Sequence, residues 1–166
     1  MSKFKSTQTL AVCGMLIALE VVLRWLGEWA SPNNNYTLAF IAAAVAAYLY
    51  GPIAAAAVHG LGDLLKAILI PRGAPHLGFT LTAVLIGLTF GLFLYRKYSW
   101  WRIGGAVLTS QVLFSLLLNT YWLSTLMTKG FVALLPTRLP QMIVMTAIQL
   151  VVLPLILPQV KRILRR

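Results

Sequence analysis

Charge is what this sequence has least of. Asp and Glu number 3 and Lys and Arg 14 among 166 residues, so charged residues make up 10% of the chain, apolar ones 60%, and mean hydropathy is +0.84. A soluble domain must cover its core with water-compatible surface and carries about 25% charged residues. That class is excluded. Cysteine is scarcer still: Cys13 stands alone, which rules out an intramolecular disulfide and a multi-cysteine metal site. It reads as a small apolar helix residue rather than a reactive thiol. No G-x-x-x-x-G-K-[ST], H-E-x-x-H or C-x-x-C pattern occurs, so a Walker ATPase site and these metal signatures are absent. Without a nucleophile–base pair or a metal set, the expectation is that the chain is not an enzyme and binds no cofactor. Internal repeats and low-complexity segments are also lacking, which argues against an inverted-repeat secondary transporter.

What fills the chain is apolar runs. A hydrocarbon span needs about 20 residues, and six such segments fit, near 8–29, 36–50, 53–70, 77–95, 103–127 and 138–157. The expected fold is an all-α integral membrane protein, one membrane domain over 1–166 with six transmembrane helices. Breaks fall at Ser31-Pro32-Asn33-Asn34-Asn35, at Gly51-Pro52, and at Pro71-Arg72-Gly73-Ala74-Pro75. Thr128 to Thr137, with Lys129, Gly130 and Pro136, need not be a regular helix, and Pro140, Pro154 and Pro158 should bend or end the last span. The first segment, after Lys3 and Lys5, has the look of a signal peptide with Ala30-Ser31 as its cleavage region. Glu20 and Arg24 interrupt it, so it is expected to be retained.

A net charge of +11 would point to nucleic acid in a soluble protein. Here the cations lie between and beyond the spans, and the partner they imply is the bilayer. Lys3, Lys5, Arg96, Lys97, Arg102, Lys161, Arg162, Arg165 and Arg166 fall on one side. Only Arg72 and Lys129, plus Arg24 and Arg138 at helix ends, fall on the other. Positive charge marks the cytoplasm, so both termini should be cytoplasmic, with Tyr98, Trp100 and Trp101 in the inner interfacial belt.

Ionisable groups within spans are costly and point to function. Glu20 and Arg24 share a face of the first helix, and His59, Asp63 and Lys66 share one of the third. They are self-neutralising pairs or ligand contacts; for Glu20 and Asp63 both readings stand, while His59 is expected to partner Asp63. Arg24 lies roughly 24 Å above the inner end of its helix at 1.5 Å per residue. Lys66, Phe79, Thr80, Asn119, Arg138 and Gln141 belong to the same outer level. Trp25, Trp29, Tyr36, Tyr121 and Trp122 are interleaved with them, some of them as interfacial belt. Polar groups among aromatic walls describe a small-molecule pocket. The outer cations favour an anionic ligand, because guanidinium binds carboxylate bidentately, and the rings can stack on a heterocycle. His76 reads as a solvated loop residue. Gly14 and Ala18 form a small-x-x-x-small pair that lets another helix approach.

Longer motifs run through the chain: Gly14-Met15-Leu16-Ile17-Ala18, Leu49-Tyr50-Gly51-Pro52, Gly62-Asp63-Leu64-Leu65, and Gly78-Phe79-Thr80-Leu81-Thr82. Gly91-Leu92-Phe93-Leu94-Tyr95-Arg96, Leu118-Asn119-Thr120-Tyr121-Trp122-Leu123 and Leu135-Pro136-Thr137-Arg138 follow. Together they resemble the folate-type S components of energy-coupling factor (ECF) transporters. The resemblance implies a six-helix subunit that captures a vitamin outside, most simply folate, and docks onto a transmembrane coupling protein and two ATPases, which use the ATP. It implies that Gly14 and Ala18 face the coupling protein, with Gly14 where the family form has alanine. It places Asn119, Trp122 and Arg138 in the vitamin pocket, with Asp63 in a family motif nearby. The substrate-binding set is therefore Arg24, Asp63, Phe79, Thr80, Asn119, Trp122, Arg138 and Gln141. An S component for riboflavin, pantothenate or a queuosine precursor is the alternative within transport. A six-helix scaffold of the rod-shape type is the alternative outside it, but a scaffold has no need of cations and amides converging under an outward mouth.

Overall fold

The computed structural model describes residues 7–30, 36–70, 77–97, 99–127 and 130–164. Lys3, Lys5, Arg72, His76, Tyr98, Lys129, Arg165 and Arg166, with the turn at 31–35, lie outside the described residues. The helices in chain order are α1 (Thr7–Ala30), α2 (Phe40–Tyr50), α3 (Pro52–Leu69), α4 (Leu77–Leu94), α5 (Trp100–Thr109), α6 (Asn119–Met127) and α7 (Phe131–Leu164). A π-helical segment, Ser110–Leu118, joins α5 to α6 without a break. No strand occurs among the described residues. Among the described residues, five stretches are long and apolar enough to cross a membrane: α1, α3, α4, the run Trp100–Met127, and α7.

The remaining helix, α2, departs from the expected span 36–50. It has 11 residues, about 16 Å of helix, well short of a hydrocarbon core of about 30 Å. Its start is delayed because the preceding backbone is tied to α1. The Thr37 hydroxyl donates to the Leu23 carbonyl (3.2 Å) and accepts from the Ala39 N–H (3.2 Å). Five alanines, 42, 43, 44, 46 and 47, are buried along α2, so neighbouring backbones close in around it. Lipid tails are as apolar as side chains, and small-residue contact is then a main source of helix association. Gly51 ends α2 at φ 93°, a left-handed conformation that side chains disfavour. Pro52 then opens α3 at its first position, where a missing N–H costs nothing. A Cβ on Gly91 of α4 would strike Pro52, so this glycine lets the two helices meet.

The last span is longer than expected. The helix begins at Phe131 rather than near Arg138 and continues to Leu164, through Pro136, Pro140, Pro154 and Pro158. The prolines fall in two pairs four apart. The N–H missing at Pro140 and Pro158 is the one that would reach the Pro136 and Pro154 carbonyls. Surrounding helices hold such interruptions in membrane proteins. At 34 residues α7 is about 51 Å long and exceeds the hydrocarbon thickness. The fifth span likewise starts at Trp100, not Ile103.

Bulky core residues collect at one end of the bundle. Tyr48, Phe90, Leu94, Ile103, Val107, Leu153 and Leu157 are buried in one cluster there. The opposite end holds the C-termini of α1, α3 and α6 and the N-termini of α4 and α7. That end is not filled.

Candidate functional site

A cavity of about 580 Å³ occupies the unfilled end. Two of its walls are built on residues spaced three or four apart. Glu20, Arg24 and Glu28 follow one another along one face of α1, and His59, Asp63 and Lys66 do the same on α3. The two faces pair rung by rung. Glu20 Oε1 lies 2.6 Å from His59 Nδ1, Arg24 Nη1 lies 3.0 Å from Asp63 Oδ1, and Lys66 Nζ pairs with Glu28 Oε1. Arg24 also donates to Glu20 along its own helix (2.9 Å), and the Thr80 hydroxyl of α4 donates to Asp63 Oδ2 (3.0 Å). Glu20 is 0% exposed. It fits against α3 because residue 62 is glycine, where a Cβ would sit 2.8 Å from the Glu20 carboxyl carbon. In a low-dielectric interior a charge persists only when paired and hydrogen-bonded. All three acidic side chains of the protein are spent on this ladder.

The facing wall is different in kind. Along α7, Arg138, Gln141, Met142, Met145 and Gln149 line the cavity, a helical stripe. Ser110, Gln111, Ser115, Leu116, Asn119 and Leu123 line it from the π-helical segment and α6. The wider π turn, in which the Asn119 N–H reaches the Phe114 carbonyl, is rare and recurs at functional sites. Among the described residues Arg138 has neither an ion pair nor a side-chain hydrogen bond. The carboxamide oxygens of Asn119 and Gln149 are buried without a partner. Tyr36, Phe40, Phe79, Ala83 and Ile86 complete the apolar surface.

Of the residues expected at the site, Arg24, Asp63, Phe79, Thr80, Asn119, Arg138 and Gln141 line this one cavity. Trp122 does not. Its indole N–H donates to the Thr82 hydroxyl (3.3 Å), and it is Thr82 that reaches the cavity. Trp122 thus stands behind the wall. The expected His59–Asp63 partnership is replaced by His59–Glu20, because Asp63 is engaged by Arg24 and Thr80 at its own depth. Trp25, Trp29 and Tyr121 are exposed on the outside of the bundle, whereas Tyr36 lines the cavity. Sequence reasoning missed Glu28, Phe40, Gln111 and Gln149. The two glutamines carried a usable signal: each is a lone amide inside an apolar run, and a buried amide needs partners much as a buried charge does. Gly14 and Ala18 are exposed on one face of α1, and a Cβ on Gly14 would meet nothing within 4 Å.

Comparison with known proteins places this geometry. The folate transporter FolT of Clostridium novyi (strain NT) is 31% identical over 150 residues, 90% of this chain and 87% of that protein. FolT of Leuconostoc mesenteroides subsp. mesenteroides is 32% identical over 119 residues, 70% and 64% of the two chains. A crystal structure of FolT bound with folic acid superposes with a TM-score of 0.80 at 28% identity, covering 89% of this chain and 90% of that one. Residues 8–157 match the family described as ECF transporter, substrate-specific component. This multi-pass bacterial membrane protein, with its polar cavity at one end of a helical bundle, belongs to the family of ECF transporter substrate-specific components.

Proposed function

We propose that this chain is the folate-capturing subunit of an ATP-driven vitamin importer. The observation that carries the reading is Arg138, a partly buried cation that lines the cavity with no counter-ion among the described residues. Arg24 and Lys66 already hold carboxylates, so Arg138 is left to receive one from a cargo, bidentately. Phe79, Tyr36 and Phe40 offer ring faces to a planar group. The cationic helix ends, with Arg96, Lys97, Arg102, Lys161 and Arg162, lie at the opposite end of the bundle, which supports a cytoplasmic position for the termini and an outward cavity. Arg24, Asp63, Phe79, Thr80, Asn119, Arg138 and Gln141 form the binding set, with Trp122 supporting it through Thr82. The exposed Gly14–Ala18 face of α1 is the docking surface for a transmembrane coupling protein, whose two ATPase partners supply the energy. The chain itself performs no catalysis and holds no cofactor.

The test is thermal unfolding of the purified protein against a panel of folic acid, riboflavin, thiamine and pantothenate. Folic acid at a hundredfold above its Kd stabilises a one-site binder by about 2.7 kcal/mol, and the other vitamins leave the midpoint unmoved. Equal midpoints with and without folic acid sink the cargo assignment, and a shift with riboflavin or pantothenate alone reassigns it.

A further inference from the structure

The end of the bundle away from the cavity carries side-chain charge of one sign only. Arg96, Lys97, Arg102, Lys161 and Arg162 stand there, past the end of α4, at the start of α5 and in the last turn of α7. The three acidic side chains of the protein all belong to the ladder at the other end, so no acidic side chain is left to pair with these cations. The α4–α5 turn among them is held in place by its neighbours. The Arg96 N–H donates to the Tyr48 carbonyl of α2 (3.3 Å), with Arg96 in the left-handed region at φ 53°, which is uncommon for a residue with a side chain. Its guanidinium lies 5.3 Å from the centre of the Tyr95 ring. Arg102 reaches back from α5, and its Nη1 donates to the Phe93 carbonyl in the last turn of α4 (3.0 Å). That bond uses a single donor of the guanidinium fork and leaves the others for an anion.

Apolar surface borders these cations. Trp100 is 63% exposed and Trp101 90%, and indole rings collect at the headgroup level of a bilayer. Trp101, Gly104 and Leu108 share one face of α5. Trp101 and Leu108 are exposed on it, and a Cβ on Gly104 would meet nothing within 4 Å, so the face is indented between them.

We infer that the α4–α5 turn is a binding site for an anionic phospholipid, with Arg96 and Arg102 on the phosphate and an acyl chain over Gly104. This goes beyond the folate reading and does not depend on it, since none of these residues lines the cavity. Guanidinium meets phosphate in a two-point geometry, and clusters of Lys and Arg beside membrane helices draw anionic headgroups. Charge complementarity asks only for an anion. The lipid is selected by the border: exposed indoles at headgroup level, then an indented apolar face running about 10 Å along a membrane-spanning stretch. Lys161 and Arg162, exposed on α7, add diffuse attraction.

The full-length protein in a neutral detergent is titrated with phosphatidylglycerol, phosphatidylcholine or glycerol 3-phosphate, and retained molecules are counted by native mass spectrometry. The parent prefers phosphatidylglycerol to phosphatidylcholine, and glycerol 3-phosphate, an anion without acyl chains, does not displace the lipid. Arg96→Gln with Arg102→Gln weakens phosphatidylglycerol about tenfold, while Gln keeps a donor for the Phe93 carbonyl. Lys161→Gln with Arg162→Gln removes the same charge and weakens it less than about threefold. Gly104→Leu fills the indentation, keeps every charge, and weakens the lipid about threefold. The melting temperature in lipid-free detergent stays level throughout. Equal losses from the two double variants, or a parent without headgroup preference, overturn the site. So does displacement by glycerol 3-phosphate, which would make it a free-anion site. Unchanged lipid retention with lost co-purification of a coupling protein would make it a protein-docking surface and likewise overturns it. A fall in lipid-free stability that accompanies the lipid loss makes the arginines structural and has the same consequence. Should the arginine pair fail to fold, Arg96→Gln alone, at an exposed position, carries the comparison.

Discussion

The two long walls of the cavity handle polarity in opposite ways. On the α1–α3 wall each charge has a partner inside the protein: Glu20 with His59 and Arg24, Asp63 with Arg24 and Thr80, Glu28 with Lys66. On the α6–α7 wall Arg138 and the oxygens of Asn119 and Gln149 have none among the described residues. The first wall is explained by the fold. The second leaves a cation and two amide oxygens open to something that enters. Packing makes the contrast sharper, because the buried residues of α1 are Thr9, Glu20 and Glu28 among those described, with no apolar residue among them. In lipid, apolar burial would bring little attraction between helices. The ion-pair ladder, with Cys13, Leu16 and Ile17 packed against the core, therefore holds α1 to the bundle, and the cations in it already hold carboxylates of the protein.

Four variants test this division, and the largest effect belongs to the clasp. Removing one partner of a buried ion pair strands the other charge and costs about 3–5 kcal/mol. Glu20→Leu takes the carboxylate from His59 and leaves Arg24 with Asp63 alone, so the unliganded protein should unfold several degrees lower in a detergent melt. Unchanged stability would mean that the ladder holds nothing.

Arg138→Ala comes next and should act on cargo alone. A hydrogen bond to a charged group contributes about 1.5–3 kcal/mol, so folic acid should weaken by about tenfold to a hundredfold, and pteroic acid by much less. Unliganded stability should not fall, since no partner is lost. If calorimetry finds both ligands weakened equally, Arg138 does not meet the tail carboxylates. Trp122→Phe follows, removing the indole donor to Thr82 while keeping an aromatic ring. A neutral hydrogen bond of this kind contributes about 0.5–1.5 kcal/mol, and an affinity loss matching that of Arg138→Ala would return Trp122 to direct contact. The smallest effect on binding belongs to Gly14→Leu combined with Ala18→Trp. Both positions point away from the cavity, so folic acid should bind the isolated subunit as before. Cellular uptake and co-purification with a coupling protein should both be lost, because bulk there keeps a second helix at a distance. Uptake at the parental rate would remove this face from docking.

Several features of the fold and the site are legible in the residues themselves. Gly51-Pro52 marks the α2–α3 junction, because a left-handed glycine before a proline leaves the chain few alternatives. The outer-half polar residues converge on one cavity because equal depth on packed helices brings side chains together. Local rules fail where neighbours intervene. The Pro136 and Pro140 pair signals an interrupted helix, yet α7 runs through it. Trp122 sits in the right motif, but its ring lies one layer back, behind Thr82.

Sequence alone determined where the apolar runs fall and how little charge they carry, because a scarcity of charge is visible residue by residue; that the second run yields only an 11-residue helix was decided by its neighbours. It also determined that three carboxylates must find cations. Which partner each would find was decided by tertiary structure. Glu20 and His59 are 39 positions apart, and an i, i+4 rule sees only partners on the same helix. The register between α1 and α3, fixed where Gly62 admits the Glu20 side chain, selects Glu20–His59, Arg24–Asp63 and Glu28–Lys66. That selection leaves Arg138 as the cation for cargo, since a charge becomes available only when the fold gives its rivals their partners.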